Sequence, residues 1–140
     1  MRILLDTNIL LDWFSHREPF YSQSEKIIRL CSDGVISACI AAHSITDLFY
    51  VLRKGLTPQK RREIFYDISD IAEIICLDRI KLLNAVNNEE FFDFEDCLQS
   101  ESAEEFGADF IITRNVKDFS LSTVKAVTPD EFLTNSDINL

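Results

Sequence analysis

Glycine and proline are scarce in this chain: three of each in 140 residues. So few breakers suit a helix-rich domain with short connections and leave no room for a Gly-rich or Pro-rich linker. Histidine is scarcer still, at two residues, and the four cysteines (Cys31, Cys39, Cys76 and Cys97) form no C-x-x-C pair. His16 and His43 stand far apart without cysteine partners at metal spacing, which argues against a zinc site. The cysteines read as buried, reduced thiols. No apolar run approaches the ~18 residues of a membrane span. The opening Met1-Arg2-Ile3-Leu4-Leu5-Asp6 turns acidic too soon for a signal peptide, so a soluble, cytoplasmic protein is expected. Positive charge is the last deficit: 14 Lys and Arg face 24 Asp and Glu, a net charge of −10. A partner rich in phosphate would need the bases to be clustered. Arg53, Lys54, Lys60, Arg61 and Arg62 are clustered in that way.

What is present is a core. Apolar residues make up 46% of the chain, enough for one domain, expected over residues 1–134 with a tail at 135–140. Short apolar runs at 2–5, 35–40, 72–77, 109–113 and 123–127 read as strands. Between them lie helical stretches: one beginning near Ile9, then 20–32, 43–54, one opened by Thr57-Pro58, 79–87, 94–106 and 129–133. Thr57 and Pro58 supply an N-cap and a first helical residue, and Gly34, Gly55 and Gly107 supply stops. Ile27, Ile28 and Leu30 are the expected inner face of the second helix. Ile45, Leu48, Phe49 and Leu52 are that of the third. Continuous apolar strands alternating with helices predict an α/β fold, a three-layer α/β/α sandwich on a mostly parallel sheet of about five strands. Ligands of such sheets bind beyond the carboxyl ends of the strands. Asp6 and Asn115 then belong to that edge.

Three acids lack basic neighbours. Asp6 ends the first strand, where it also reads as a helix N-cap. Asp47 lies inside a helix, a poor place for Asp, with Tyr50 and Val51 ahead of it and Ser44 and His43 behind. Asp96 falls in the first turn of a helix, where the dipole favours negative charge, and Gln99 and Ser100 supply no cation. Carboxylates gathered in a small space repel unless a cation joins them. Oxygen ligands without His or Cys point to Mg²⁺ or Mn²⁺. With roughly 40 to 50 residues between successive acids, spacing alone cannot show that they converge.

Four segments in order resemble the successive motifs of PIN domains, the nuclease domains of VapC-type toxins: LLDTNILLD at 4–12, SITDLFYVLRK at 44–54, DFEDCLQ at 93–99 and DFIITRNVKDF at 109–119. The resemblance runs from residue 2 to about 133. It implies Mg²⁺- or Mn²⁺-dependent endonucleolytic cleavage of RNA, leaving a 5′-phosphate and a 3′-hydroxyl. It also implies a homodimer and a cognate antitoxin protein that inhibits by wrapping the sheet edge or inserting a basic side chain among the acids. Carried onto this sequence, Asp6, Asp47 and Asp96 match the metal-binding acids. Thr7 and Asn8 match the residues that orient the first, and Thr113 supports the site. Asn115 occupies the position of a fourth acid in many members, and Asp118, three residues on, can substitute in part. Asp47 stands where the family usually has Glu, and Asn115 is neutral, so one ion is favoured over two. Arg114 and the run at 53–62 are candidate RNA contacts. Two other readings remain open: a PIN-like module that binds RNA or protein without cutting, and a Mg²⁺-binding phosphoryl-transfer or receiver-like protein. The latter would want adjacent acids after the first strand, where this chain has Asp6-Thr7-Asn8.

Overall fold

The computed structural model describes residues 1–135. The strands are β1 (Arg2–Leu5), β2 (Ser37–Ala41), β3 (Ala72–Ile75), β4 (Phe110–Ile112) and β5 (Lys125–Val127). They form one sheet in the order β3-β2-β1-β4-β5, with every pair parallel. The helices are α1 (Thr7–Phe14), α2 (Tyr21–Ser32), α3 (Ala42–Val51), α4 (Pro58–Ile71), α5 (Arg79–Asn87), α6 (Phe94–Phe106) and α7 (Pro129–Thr134). The expected α/β sandwich and its parallel sheet are therefore present. The tail expected at 135–140 lies, after Asn135, outside the described residues.

Side-chain alternation along the strands builds the three layers. Successive residues of a strand point to opposite faces. Ile3 and Leu5 of β1, Ala38 and Ile40 of β2 and Ile112 of β4 enter one core, with Ile9 and Leu10 of α1, Ile27 of α2, Ile64 and Ile68 of α4 and Phe132 of α7. Leu4, Cys39 and Ile111, the residues between, enter the other core with Ala85 of α5 and Cys97, Leu98, Ala103 and Phe106 of α6. Both faces of the central strands β1, β2 and β4 are thus covered, and past the first residue of each strand they carry only apolar residues.

Several local expectations shift. The inner face of α2 is Ser24, Ile27, Ile28 and Cys31, a regular three-and-four spacing. Leu30 falls at its margin. The third helix stops at Val51, before Lys54, because Leu52 leaves the helical region and the chain turns through Gly55 at φ +81°. Leu48 is the buried residue of that face, with Ile45, Phe49 and Leu52 packed partly against the core. Strands expected to reach Leu77 and Thr113 end at Ile75 and Ile112. Elsewhere the signals hold. The Thr57 hydroxyl accepts from the Lys60 amide at 3.1 Å, and Gly107 closes α6 at φ +70°, where a side chain is strained. A capping box between Thr128 and Glu131 opens α7.

A buried ion pair ties the layer of α1 and α2 to the end of β4. Asp12 of α1 is wholly buried, and its carboxylate lies 2.8 Å from Nε of Arg114, with Arg17 further off at 3.8 Å. The Arg114 guanidinium also packs over the Phe20 ring. Burial pushes the Asp12 carboxyl above its ordinary value, against the pull of Arg114 and Arg17. Removing one partner leaves the other charge stranded. Asp12→Ala is therefore expected to lower stability by about 3 kcal/mol in urea unfolding. A loss below about 1 kcal/mol would mean that Arg114 is free to solvate.

Candidate metal and RNA site

The sheet register alone sets two site residues side by side. In β1, Leu4 faces α6, so Asp6, two positions on, points to the same side. In β4, Ile111 faces α6, so Thr113 does too. Leu5 pairs with Ile112, and the ladder runs on by one step, with the Asp6 amide donating to Ile112 O at 3.0 Å and the Thr113 amide to Val127 O at 3.1 Å. Asp6 and Thr113 are thus neighbours at the carboxyl edge, and the Thr113 hydroxyl donates to Asp6 Oδ2 at 2.6 Å.

Asp6 occupies the N-cap position of α1, but its side chain makes no capping bond. It is 6% exposed and takes three neutral donors instead. Besides Thr113, Asn8 Nδ2 donates to Oδ2 at 2.7 Å, and Gln99 Nε2 donates to Oδ1 at 2.7 Å. Asn8 does more: its Nδ2 also lies 3.3 Å from Thr113 Oγ1, and its Oδ1 accepts from the Arg114 amide. Asn8 therefore has the orienting role expected of it. Thr7, half-buried at the start of α1, makes no hydrogen bond to Asp6. Thr113 also accepts from the Asn115 amide at 3.0 Å.

Asp96 sits in the first turn of α6, where its amide is capped by Asp93 Oδ1 at 2.9 Å. Its carboxyl is half-buried and pushed up to about 7, first by burial and then by the charges of Asp93, Asp6, Asp118 and Glu95. Those charges place Asp6, Asp96 and Asp118 in one negative field. Asp118 reaches it on a 3-10 turn at Val116–Phe119 that the sequence did not announce. Asn115 stands exposed at the start of that turn. Asp47 is half-exposed on α3, with no hydrogen bond or ion pair among the described residues, and its charge is not among those that raise Asp96.

The candidate RNA contacts divide. The Arg114 guanidinium is engaged by Asp12 and packs over the Phe20 ring. Arg53, Lys54, Lys60, Arg61 and Arg62 are all exposed; Arg53 folds onto the Tyr50 ring and carbonyl, and Lys60 lies 3.6 Å from Glu63. Helix α4 feeds the amino end of β3, so its basic first turn lies toward the carboxyl edge of the sheet, the edge that holds Asp6.

Gln99 is the residue sequence reasoning passed over. It entered only as a non-cation beside Asp96. Its signal was its spacing: three residues after Asp96, it shares a helix face with that acid. The cysteines are unpaired, three of them buried and Cys76 exposed. Burial pushes the Cys31 and Cys39 thiols up to about 12, so both stay protonated and inert.

In a parallel α/β sandwich ligands bind beyond the carboxyl ends of the strands, the edge at which Asp6 and Thr113 stand. The chain belongs to the PIN domain family, whose model matches residues 2–117. It is 26% identical over 135 residues to Ribonuclease VapC1 of Aquifex aeolicus (strain VF5), covering 94% of this chain and 92% of that one. Among solved structures it resembles a toxin–antitoxin complex from Klebsiella pneumoniae, with TM-score 0.66 and 23% identity over 91% of this chain and 97% of that one. It also resembles VapBC2 from Rickettsia felis bound to a promoter DNA fragment, with TM-score 0.62 and 18% identity over 91% and 98%. No helix among the described residues is long and apolar enough to cross a membrane.

The raised Asp96 carboxyl has a consequence for stability. The ionised form is disfavoured in the fold, so its cost is absent below about pH 4, grows as pH rises toward 7 and is complete above that. Asp96→Asn removes the charge. In metal-free buffer the variant is expected to melt higher than the parent at pH 8 and at the same temperature as the parent at pH 4. Equal melting temperatures at pH 8 would show that Asp96 is solvated and outside the acidic field.

Proposed function

We propose that this PIN-domain chain is an endoribonuclease, the toxin of a toxin–antitoxin pair, and that it hydrolyses RNA with Mg²⁺ or Mn²⁺ held at Asp6 and Asp96. The observation that carries this reading is the state of Asp6: a buried carboxylate satisfied only by neutral donors, with Asp96 and Asp118 adding charge beside it. A buried acid that served only the fold would be paired with Lys or Arg, as Asp12 is with Arg114. The Aquifex VapC1 ribonuclease and the toxin–antitoxin complexes that the fold resembles support the same reading.

The donor chemistry fits a hard cation. The available atoms are carboxylate and hydroxyl oxygens, which favour Mg²⁺ or Mn²⁺ over zinc. Among the described residues no three Asp, Glu, His or Cys side chains are drawn into a ready-made cage. Mg²⁺ usually keeps several waters and is held by one or two carboxylates, so Asp6 and Asp96 are enough protein ligands for it.

Such an ion, when bound, offsets charge on the phosphate and makes a bound water more acidic. The chain's own residues do the rest. Asn8, Thr113 and Gln99 hold Asp6 in place. Asp6 and Asp96 would hold the ion, with Asp118 adding charge beside them. Asp47, the other acid that the family resemblance assigns, would join only from its half-exposed place on α3, and Asn115 stands exposed beside the edge. The exposed bases at 53–62 draw the RNA backbone toward the edge that holds Asp6. A homodimer and an inhibitory antitoxin belong to the same reading.

Purified protein incubated with mixed RNAs tests it. Cleavage is expected with Mg²⁺ or Mn²⁺, is stopped by EDTA, and falls about a thousandfold in Asp6→Asn and Asp96→Asn, the loss of several kcal/mol of charge stabilisation. Cleavage that resists EDTA or survives both substitutions contradicts the site. RNA binding with no metal-dependent loss of substrate would identify a PIN module that binds without cutting.

A further inference from the structure

Gln99 is almost wholly buried, at 3% exposure, and reaches across 93 residues of sequence to the first acid of the site. The orientation of its amide is fixed by chemistry. A carboxylate only accepts, so the NH₂ end must face Asp6 Oδ1. The other end is then stranded, since Gln99 Oε1 is buried with no hydrogen-bond partner among the described residues. A half-satisfied buried amide is a poor choice for stability, and an apolar side chain of the same length would serve the core of α6 better. Its N–H bond to Asp6 must therefore be the reason for its presence.

The bond does two things. It orders Oδ1 of Asp6 without neutralising it, whereas a Lys or Arg at this place would cancel the charge and close the site to a cation. It also ties α6 to the end of β1. Asp96 stands one helical turn before Gln99 on the same face of α6, so the 2.7 Å contact sets how α6 is rotated and how closely Asp96 approaches Asp6. We propose that Gln99 is the positioning residue of the metal site: a neutral clamp that holds Asp6 aligned and indexes Asp96 against it. This rests on the metal-site reading above.

Gln99→Met tests it, because methionine keeps the length and the packing and removes the donor. Mn²⁺ binding is measured by electron paramagnetic resonance of the free ion, alongside the metal-free melting curve. Loss of an orienting hydrogen bond typically weakens a metal site 10–100-fold. The variant is expected to bind Mn²⁺ at least about tenfold more weakly while melting cooperatively, and to recover RNA cleavage when Mg²⁺ is raised to saturation. Gln99→His, which restores an N–H at similar reach, is expected to regain part of the affinity, and it carries the test if the methionine variant does not fold. Unchanged Mn²⁺ affinity in a folded Gln99→Met protein overturns the role of Gln99 alone. Absence of Mn²⁺ binding by the unmodified protein overturns the metal-site reading beneath it.

Discussion

A single buried carboxylate organises the functional edge of this protein. Asp6 leaves the sheet one residue after β1 and takes hydrogen bonds from three places: Asn8 on α1, Thr113 after β4 and Gln99 on α6. Those contacts link both layers of helices to the sheet at the point where the two central strands end. None of the three donors carries charge, so the carboxylate keeps its own. The negative field that raises Asp96 follows from that choice. So does the need for a cation in any state where Asp6 and Asp96 are both ionised.

The contrast with Asp12 makes the point physical. Both are buried acids on or next to α1, six residues apart. Asp12 is paired with Arg114 and becomes a brace between α1, α2 and the end of β4. Asp6 is surrounded by amides and a hydroxyl and has no cationic partner among the described residues. The brace also serves the site, since the Arg114 backbone amide donates to Asn8 and Asn8 orients Asp6. A stabilising ion pair and an unneutralised acid thus share one short segment, from Thr113 to Asn115, that leads out of β4.

Much of this was legible in the sequence because it follows from periodicity. The run RILL followed by Asp placed an acid at the end of a buried strand, and the pleat then fixed the side of the sheet to which Asp6 points. The alternation of apolar strands with helices gave the parallel sandwich, and Thr57-Pro58 and Gly107 marked helix ends that the structure keeps. What escaped was long-range. Gln99 could be seen only as a polar residue in a helix, since its partner lies 93 positions away. Asp118 owes its place to a 3-10 turn with no periodic signature. The pairing of Asp12 with Arg114 joins residues 102 positions apart and has no local signature either. Asp47 shows the limit from the other side: the motif match assigned it, and the fold leaves it half-exposed on α3 without a partner among the described residues.

The central claim is that the edge around Asp6 and Asp96 is built to gather a divalent cation. Anomalous X-ray scattering from crystals soaked in Mn²⁺ tests it most directly. The account predicts an anomalous peak between the carboxylates of Asp6 and Asp96, absent from crystals of the Asp6→Asn variant. No peak at that edge, or one confined to the acids around Lys81 (Asp78 and Glu105), would contradict it.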